Sequence, residues 1–333
     1  KATWDKAQPT NYQYKWQFMG IPVQSLPALP TFYGGFVRRY NEGGNGAGIE
    51  LTKRWIQLQN EDDMEYLSGY EIVQPTAKKY EFPGTLYNQN INMTLSYTVG
   101  ADYPGRPKGQ LISGDVTHSL TADKYHLIGN PYTAAIDIKQ IQFGANMEET
   151  VYLYNTGTYN SWEGYNYGSN STTTQDGTSY TAGQYTSVPK NTAGEGNIPG
   201  QVPAMQAFMV RTSGVGEGSI FVDYNAVKQK NSTLQRAKKS PLSWMRFNLV
   251  GATADHDVMW LFSQQGTTRD YDNGWDGKKL AGDLGTARIQ AVEGTSNFQI
   301  DVVPNIHETV ISARAGKNDT QYKLKIVSEH MVS

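Results

Sequence analysis

One short motif occurs twice in this chain and restricts what the chain can fold into. Residues 16–23 read W-Q-F-M-G-I-P-V, and residues 125–132 read Y-H-L-I-G-N-P-Y. Both copies place an aromatic residue, two apolar residues, a glycine and a proline at the same spacing. An apolar run that stops at Gly-x-Pro is typical of a β-strand followed by a turn. The motif therefore predicts the opening strand of a repeated β unit, and residues 244–251 carry a third copy without the proline.

Further strand-like stretches follow the two copies in the same order. Residues 55–58, 70–73 and 80–85 of the first half match residues 151–154, 207–210 and 219–224 of the second. We interpret this order as an internal duplication of roughly 110 residues. We expect the strand at residues 70–73 to pair with the one at 80–85, and the strand at 207–210 to pair with the one at 219–224. Six more strand-like stretches follow residue 241, with the spacing of a small β-sandwich. The predicted fold is all-β: two duplicated β-sandwich or jelly-roll-like units followed by a smaller β-sandwich.

Composition sets the predicted domain boundaries. The first repeat is predicted at residues 1–118, the second at 119–226, a basic linker at 227–241 and the C-terminal β-sandwich at 242–333. The linker contains five basic residues and no acidic one, which favours a solvated connection, with a nucleic-acid patch as the alternative. The net charge of −2 gives no bulk field for nucleic acid or an anionic membrane, so neither is predicted as a partner.

Several chemistries are excluded by composition. The chain contains no cysteine, which excludes disulfides, zinc–thiolate sites, iron–sulfur clusters and cysteine nucleophiles. No apolar run approaches the ~20 residues needed to span a bilayer. The first residues, K-A-T-W-D-K, do not form a signal peptide. We therefore expect that a signal has been removed or that the chain is an internal piece of a longer protein.

No catalytic motif is present, and no enzyme activity is predicted. There is no G-x-S-x-G elbow, and His307-Glu308 begin a zinc-protease motif that fails at Ile311. The acidic cluster at residues 61–63 consists of sequence neighbours, which cannot face each other across a sugar as the carboxylates of a glycosidase do. Residues 38–48 are rich in glycine, but strand-like alternation follows them where a phosphate loop needs a helix. A triad assembled from distant residues stays an alternative, because triads are spatial.

Calcium is the one cofactor that the sequence suggests. Residues 270–277 read D-Y-D-N-G-W-D-G, and the candidate ligands are Asp270, Asp272 and Asp276. Calcium favours oxygen ligands on alternate residues around a glycine turn. Gly274 stands where the helix–loop–helix calcium pattern has an acidic or amide residue. A tight turn rich in Asp and Asn is therefore the alternative.

The longest predicted loop covers residues 155–200 and is rich in Thr, Ser, Gly, Asn and Tyr. Loops of this length in compact domains are usually functional or mobile. The candidate ligand-binding residues are Asn160, Trp162, Tyr165, Asn166 and Tyr167. Their rings could stack on a sugar while their amides bond its hydroxyls, and the same side chains suit protein contact. Packing of these side chains on the loop's own scaffold is the third alternative.

Several segments resemble a known group of proteins. These segments are L-I-G-N-P-Y-T-A-A-I-D (residues 127–137), V-Y-L-Y-N (151–155), I-P-G-Q-V-P-A-M-Q-A-F-M-V (198–210) and the aspartate-rich residues 267–280. They resemble the β-rich repeat region of large secreted and cell-surface proteins of Bacteroidetes. The resemblance implies export by the type IX secretion machinery and location outside the cell or on the outer membrane. Such proteins usually end in a further β-sandwich and a sorting signal, so we expect a truncated chain here.

We therefore predict a non-catalytic, adhesin-like, secreted or cell-surface protein. Its expected partners are a glycan or a surface protein, bound through the aromatic side chains of the long loop, and the type IX secretion machinery during export. The alternative is an accessory or structural spacer of a larger surface protein, with or without an enzyme domain upstream. Trimming residues 155–200 separates the two, because only the adhesin depends on that loop.

Overall fold

The structure is a computed structural model, and it describes most of the chain. The described residues are 2–6, 17–40, 55–59, 61–74, 78–97, 125–155, 158–159, 180–181, 184–214, 216–230, 242–252, 256–280, 286–316 and 319–329. The chain divides into two compact units. The first comprises Lys1–Glu148, Tyr167–Asn170 and Val202–Ser232, and the second comprises Glu149–Asn166, Ser171–Gln201 and Thr233–Ser333. The predicted division into two repeats, a linker and a C-terminal sandwich stays a prediction.

Regular structure is almost entirely strand. The strands up to residue 155 are β1 (Ala2–Lys6), β2 (Gln17–Met19), β3 (Ser25–Pro27), β4 (Phe36–Tyr40), β5 (Trp55–Gln57), β6 (Asp63–Glu65), β7 (Tyr70–Val73), β8 (Lys78–Phe82), β9 (Ile91–Tyr97), β10 (Tyr125–Gly129), β11 (Ile136–Asp137), β12 (Gln142–Phe143) and β13 (Thr150–Asn155). The later strands are β14 (Thr158–Tyr159), β15 (Tyr180–Thr181), β16 (Gln184–Pro189), β17 (Gln201–Val202), β18 (Ala207–Arg211), β19 (Gly216–Val222), β20 (Ser243–Gly251), β21 (His256–Ser263), β22 (Gly277–Lys278), β23 (Arg288–Glu293), β24 (Ser296–Val303), β25 (Val310–Arg314) and β26 (Tyr322–Glu329). The described helices are α1 (Ala28–Thr31), α2 (Tyr224–Lys230) and a 3₁₀ turn at Ile138–Gln140. The all-β prediction is confirmed.

The first unit contains a four-stranded antiparallel sheet in the order β2-β7-β4-β5. Strand β7 is buried at every position because it has a partner on both edges and side chains on both faces. Strand β8 alternates instead: Tyr80 and Phe82 are fully buried, while Lys79 and Glu81 are exposed. The predicted pairing of β7 with β8 is wrong, because β8 pairs with β1.

The two copies of the Gly-x-Pro motif make equivalent contacts inside the first unit. Strand β2 pairs with β7 and strand β10 pairs with β18, both antiparallel. The Gly20 N–H donates to the Met205 carbonyl (2.7 Å), and the Gly129 N–H donates to the Leu67 carbonyl (2.9 Å). A Cβ on Gly20 would lie 2.7 Å from the Gly129 Cα, so this crossing excludes a side chain. These equivalences support the duplication, which stays a proposal.

The first unit also holds a three-stranded antiparallel sheet, ordered β12-β19-β9. Strand β9 presents Ile91 and Leu95 to the interior and Asn92 to solvent, the period-two pattern expected from its sequence. Helix α2 follows β19 directly. It covers the beginning of the predicted basic linker, and residues 231–241 lie outside the described part of the chain.

The second unit is built on one mixed sheet in the order β25-β23-β24-β21-β20-β26, with β22 also paired to β24. All its pairings are antiparallel except that of β21 with β24. One face packs a core around Phe247, Leu261, Ile289 and Phe298. The six strands predicted after residue 241 are all confirmed.

The predicted loop at residues 155–200 is wrong in part. Gln184–Pro189 forms strand β16, which pairs with β13 from Thr150 opposite Pro189 to Asn155 opposite Gln184. Short strands β14 and β15 continue this hairpin. The Ser- and Thr-rich composition suggested a loop, but Thr and Val are β-branched and favour a strand once a partner is present. Ser187 fixes the hairpin on the sheet, since its N–H donates to Gln299 Oε1 at 2.8 Å.

Among the helices that the structure describes, none has both the length and the hydropathy needed to cross a membrane.

Candidate functional site

The aromatic and amide residues predicted to bind a ligand lie outside the described residues. They are Asn160, Trp162, Tyr165, Asn166 and Tyr167. The described strands on either side show how this segment is attached: it joins β14 to β15 at the end of the β13–β16 hairpin. The rings of Tyr154 and Tyr185, which lie opposite each other on this hairpin, have centroids 5.1 Å apart. Ligand binding by the segment stays a prediction.

The predicted calcium residues form a tight turn. Asp272 Oδ2 accepts hydrogen bonds from the backbone N–H (2.5 Å) and the hydroxyl (3.1 Å) of Thr268. Asp276 is 1% exposed, and its Oδ2 accepts from the Asp272 N–H at 2.7 Å while its Oδ1 accepts from the Val302 N–H at 2.8 Å. Burial raises the pKa of Asp276 to about 8. These oxygens therefore hold the backbone of the turn, and Asp276 also ties the turn to strand β24 through Val302.

Asp270 is exposed, and its backbone carbonyl accepts from the Thr268 hydroxyl. Across the described ranges, no group of three or more His, Asp or Glu side chains is arranged to hold a metal ion. The calcium ligand set of Asp270, Asp272 and Asp276 stays a prediction.

The first unit contains a cleft that the sequence analysis did not single out. Its volume is about 490 Å³, and it is lined by residues 85–88, residues 132–134, Tyr224 and Val227. We call it the tyrosine cleft. The three lining segments are the stretch after β8, the turn of the second Gly-x-Pro motif, and helix α2.

Four tyrosine rings contact one another in succession, and three of them, Tyr87, Tyr132 and Tyr224, line the tyrosine cleft. Tyr66 and Tyr87 are stacked, with centroids 4.9 Å apart and an interplanar angle of 30°. Tyr87 and Tyr132 are tilted at 5.6 Å, and Tyr132 and Tyr224 are tilted at 5.5 Å. Tyr132 is 2% exposed, whereas Tyr87 and Tyr224 are partly exposed. The buried ring thus supports two rings that reach the solvent, and such contacts stabilise each other.

Backbone carbonyls hold the hydroxyls of this row. The Tyr87 hydroxyl donates to the Asn90 carbonyl at 2.7 Å, and the Tyr132 hydroxyl donates to the Gln89 carbonyl at 2.8 Å. Burial raises the pKa of both Tyr87 and Tyr132, so the two hydroxyls keep their protons. The Tyr224 N–H donates to Asn90 Oδ1 at 2.9 Å. The stretch 89–90 therefore holds the hydroxyls of Tyr87 and Tyr132 and the backbone of Tyr224.

Asn130 fixes the turn from which Tyr132 projects. It is fully buried, and its Nδ2 donates to the carbonyls of Ala134 (3.0 Å) and Pro203 (2.8 Å). Its Oδ1 accepts from the Tyr132 N–H at 2.9 Å. A buried amide with both ends satisfied gives a rigid turn. The position of the Tyr132 ring is thus set by the motif itself.

None of the described residues that line the tyrosine cleft carries a charge. The exposed side chains of Thr85, Asn88 and Thr133 offer hydroxyl and amide groups beside the rings. Aromatic surface with a few neutral hydrogen-bonding groups is typical of sites for small organic ligands. Sequence reasoning missed this site because its parts are far apart in the chain. One signal was available: the motif copies differ at their last position, where Val23 corresponds to Tyr132.

Taken together, the fold and the cleft define an all-β protein with an aromatic-lined cleft whose described lining residues carry no charge. The chain belongs to the family described as "Domain of unknown function (DUF8693)", whose model matches residues 6–327. It is similar to the minor fimbrium subunit Mfa5 of Porphyromonas gingivalis, with 33% identity over 358 residues. That alignment covers 98% of this chain and 26% of the fimbrial protein. No solved structure matches the chain.

Proposed function

We propose that this chain is part of a non-catalytic, adhesin-like protein of the cell surface or of secreted assemblies. The similarity to a minor fimbrium subunit supports this proposal, and the chain spans 26% of the length of that subunit. The proposal includes export by the type IX secretion machinery, because the sequence resemblance implies it. The expected partner is a glycan or a protein on another surface.

The tyrosine cleft is the observation that carries the proposal. It combines exposed ring surface at Tyr87 and Tyr224 with neutral polar groups at Asn88 and Thr133. The rings are held by ring–ring contacts and backbone hydrogen bonds, so little side-chain entropy is lost when a ligand binds. Exposed tyrosines on a rigid scaffold are typical hot spots of recognition surfaces.

The long connection between β14 and β15 is a second proposed contact surface. Its aromatic and amide residues, Trp162, Tyr165 and Tyr167 with Asn160 and Asn166, have the same chemistry as the cleft. The hairpin that carries them is anchored through Ser187 to strand β24. The competing proposal is a structural spacer within a larger surface protein, which needs neither the cleft nor this connection.

Binding to immobilised mucin tests the proposal, because this glycoprotein offers both sugar and polypeptide. Beads that carry the full 333-residue chain should be captured by mucin. Tyr224→Leu should reduce capture about tenfold, since a hot-spot ring is lost. Tyr33→Leu is the matched control, because Tyr33 is 71% exposed and does not line the cleft. Replacement of residues 160–179 by a Gly–Ser linker tests the second surface.

Two outcomes would contradict the adhesin proposal. One is no capture of the folded wild-type chain on mucin or on a panel of other surface glycoproteins. The other is capture that neither Tyr224→Leu nor the linker replacement reduces. Either result would favour the spacer.

A further inference from the structure

We infer that the tyrosine cleft binds a neutral sugar, with a hexopyranose ring seated against Tyr224 and Tyr87. This inference rests on the proposed adhesin-like function and names the ligand class of the same site. It follows from the charge of the lining, from the way the rings are held, and from the difference between the two motif copies.

The charge of the cleft selects against ionic ligands. Among the residues that the structure describes, no lining side chain is charged, and the two tyrosines with raised pKa stay protonated. A sialic acid, a sulfated sugar or an acidic peptide would lose hydration in this cleft without gaining a cationic partner from the described lining. The cost is smaller for a neutral sugar, because it carries no charge and the Asn88 and Thr133 side chains can replace some of its bonds to water.

The polar groups are arranged for a ligand with many hydroxyls. Within the row of rings, the hydroxyls of Tyr87 and Tyr132 are already bonded to main-chain carbonyls. The rings therefore supply apolar surface, while Thr85, Asn88 and Thr133 supply donors and acceptors around it. One apolar face with hydroxyls at its edge is the shape of a pyranose ring. The volume of about 490 Å³ is that of a small-ligand site and not of an extended protein interface.

The turns of both motif copies hold the same stretch of chain, but only one supplies a ring. On the side of the first copy, the Tyr87 N–H donates to the Pro22 carbonyl at 2.8 Å, and Val23 forms a β-bridge with Leu86. On the side of the second copy, Tyr132 packs its ring against Tyr87. Val23 is 1% exposed, so the first copy fills its turn with an aliphatic side chain. Tyrosine at the corresponding position of the second copy creates the aromatic wall of the cleft.

Saturation-transfer NMR on the full chain tests the inference with defined probes. The neutral probes are the methyl pyranosides of glucose, galactose and mannose, N-acetylglucosamine and lactose. The competing probes are 3′-sialyllactose and a proline-rich peptide, since aromatic grooves also bind such peptides. We expect saturation transfer to at least one neutral sugar and a weaker signal from the sialylated one.

Variants locate the binding and separate it from folding. Tyr224→Leu should raise the dissociation constant of the best-binding sugar about tenfold. Tyr224→Phe keeps the ring, so its dissociation constant should stay within about twofold of the wild-type value. Asn88→Ala changes an exposed side chain, so it should weaken sugar binding about threefold or more without affecting the melting temperature. Tyr33→Leu should leave binding unchanged. Thermal unfolding of each variant identifies any that fails to fold.

Three outcomes would overturn the inference: no neutral sugar binds, Tyr224→Leu and Asn88→Ala both leave sugar binding unchanged, or only the sialylated sugar binds. Binding of the peptide alone, lost in Tyr224→Leu, would also overturn it but would leave the adhesin-like function standing with a protein target. Loss of mucin capture together with absence of any probe binding would overturn both.

Discussion

Replacement of Asn130 by aspartate should destabilise the first compact unit by about 2–6 kcal/mol. The Asn130 amide nitrogen faces the carbonyls of Ala134 and Pro203 at 3.0 and 2.8 Å, with the Val202 carbonyl farther away at 3.4 Å. Asn130→Asp keeps the acceptor for the Tyr132 N–H but puts an oxygen opposite these carbonyls. Each of the two nearer carbonyls then loses its donor inside the protein, at about 1–3 kcal/mol apiece.

The pH dependence of the variant gives a second measurement of the same effect. Asn130 is fully buried, so an aspartate in its place would have a raised pKa and would be protonated at low pH. The protonated carboxyl can donate to one of the carbonyls, whereas the ionised form cannot. The loss of stability in Asn130→Asp should therefore be smaller at acidic than at alkaline pH.

Urea unfolding followed by circular dichroism, at several pH values, measures the change in the free energy of unfolding. Hydrogen exchange of peptides that cover residues 130–134 and 202–206 shows whether the loss is local to this turn. Asn88→Asp is the matched control, because the same chemical change is made at an exposed position and should stay within about 0.5 kcal/mol. If Asn130→Asp has the same free energy of unfolding as Asn88→Asp, the buried amide does not hold the turn and the reasoning fails.

Three further predictions follow from the described residues. Gly20→Ala and Gly129→Ala should each cost about 1–3 kcal/mol in thermal or urea unfolding, because a Cβ at either position meets the opposing Cα at 2.7 Å; an unchanged stability would show that the crossing can open. Burial raises the pKa of Asp301 to about 7, and the nearby Glu293 adds to the rise. Since the folded-state pKa lies above the ordinary value, the protonated carboxyl favours folding at acidic pH, and this stability is lost as pH rises through about 7. Asp301→Asn should therefore stabilise the protein at pH 8 and flatten the decline between pH 4 and 7, and an unaltered decline would refute this assignment. If the turn at residues 270–276 binds calcium, isothermal titration should show heat that Asp272→Asn abolishes, whereas no heat and no shift in melting temperature would make that prediction wrong.

Local pattern predicted the strands of the second unit well. The stretches around Trp244, Val258 and Phe298 combine β-branched and aromatic residues with turns at each end, and all three are strands. Pairing was harder to predict, because it depends on contacts between distant parts of the chain. The predicted β7–β8 hairpin is an example: Pro75 in the sequence favoured a turn between the two strands, but β7 is occupied on both edges by β2 and β4.

Strand β16 was missed for a related reason. Its sequence, Q-Y-T-S-V-P, resembles the Ser- and Thr-rich segment before it, and only its pairing with β13 distinguishes it. The tyrosine cleft was missed because its rings come from three segments with no common sequence pattern. Tyr87 belongs to the first predicted repeat, whereas Tyr132 and Tyr224 belong to the second. A site of this kind emerges only when the topology is known.

The two motif copies separate the requirements of folding from those of recognition. Gly20 and Gly129 are both needed, because neither can carry a side chain where the two strands cross. The position after the proline has no such constraint: Val23 and Tyr132 are both buried on equivalent turns, yet one is a small aliphatic residue and the other an aromatic one. The two turns thus fill this position with different side chains, and only the second supplies a ring to the cleft. We therefore propose that recognition by the second turn depends on Tyr132 and the rings that pack beside it, and not on the motif that the two halves share.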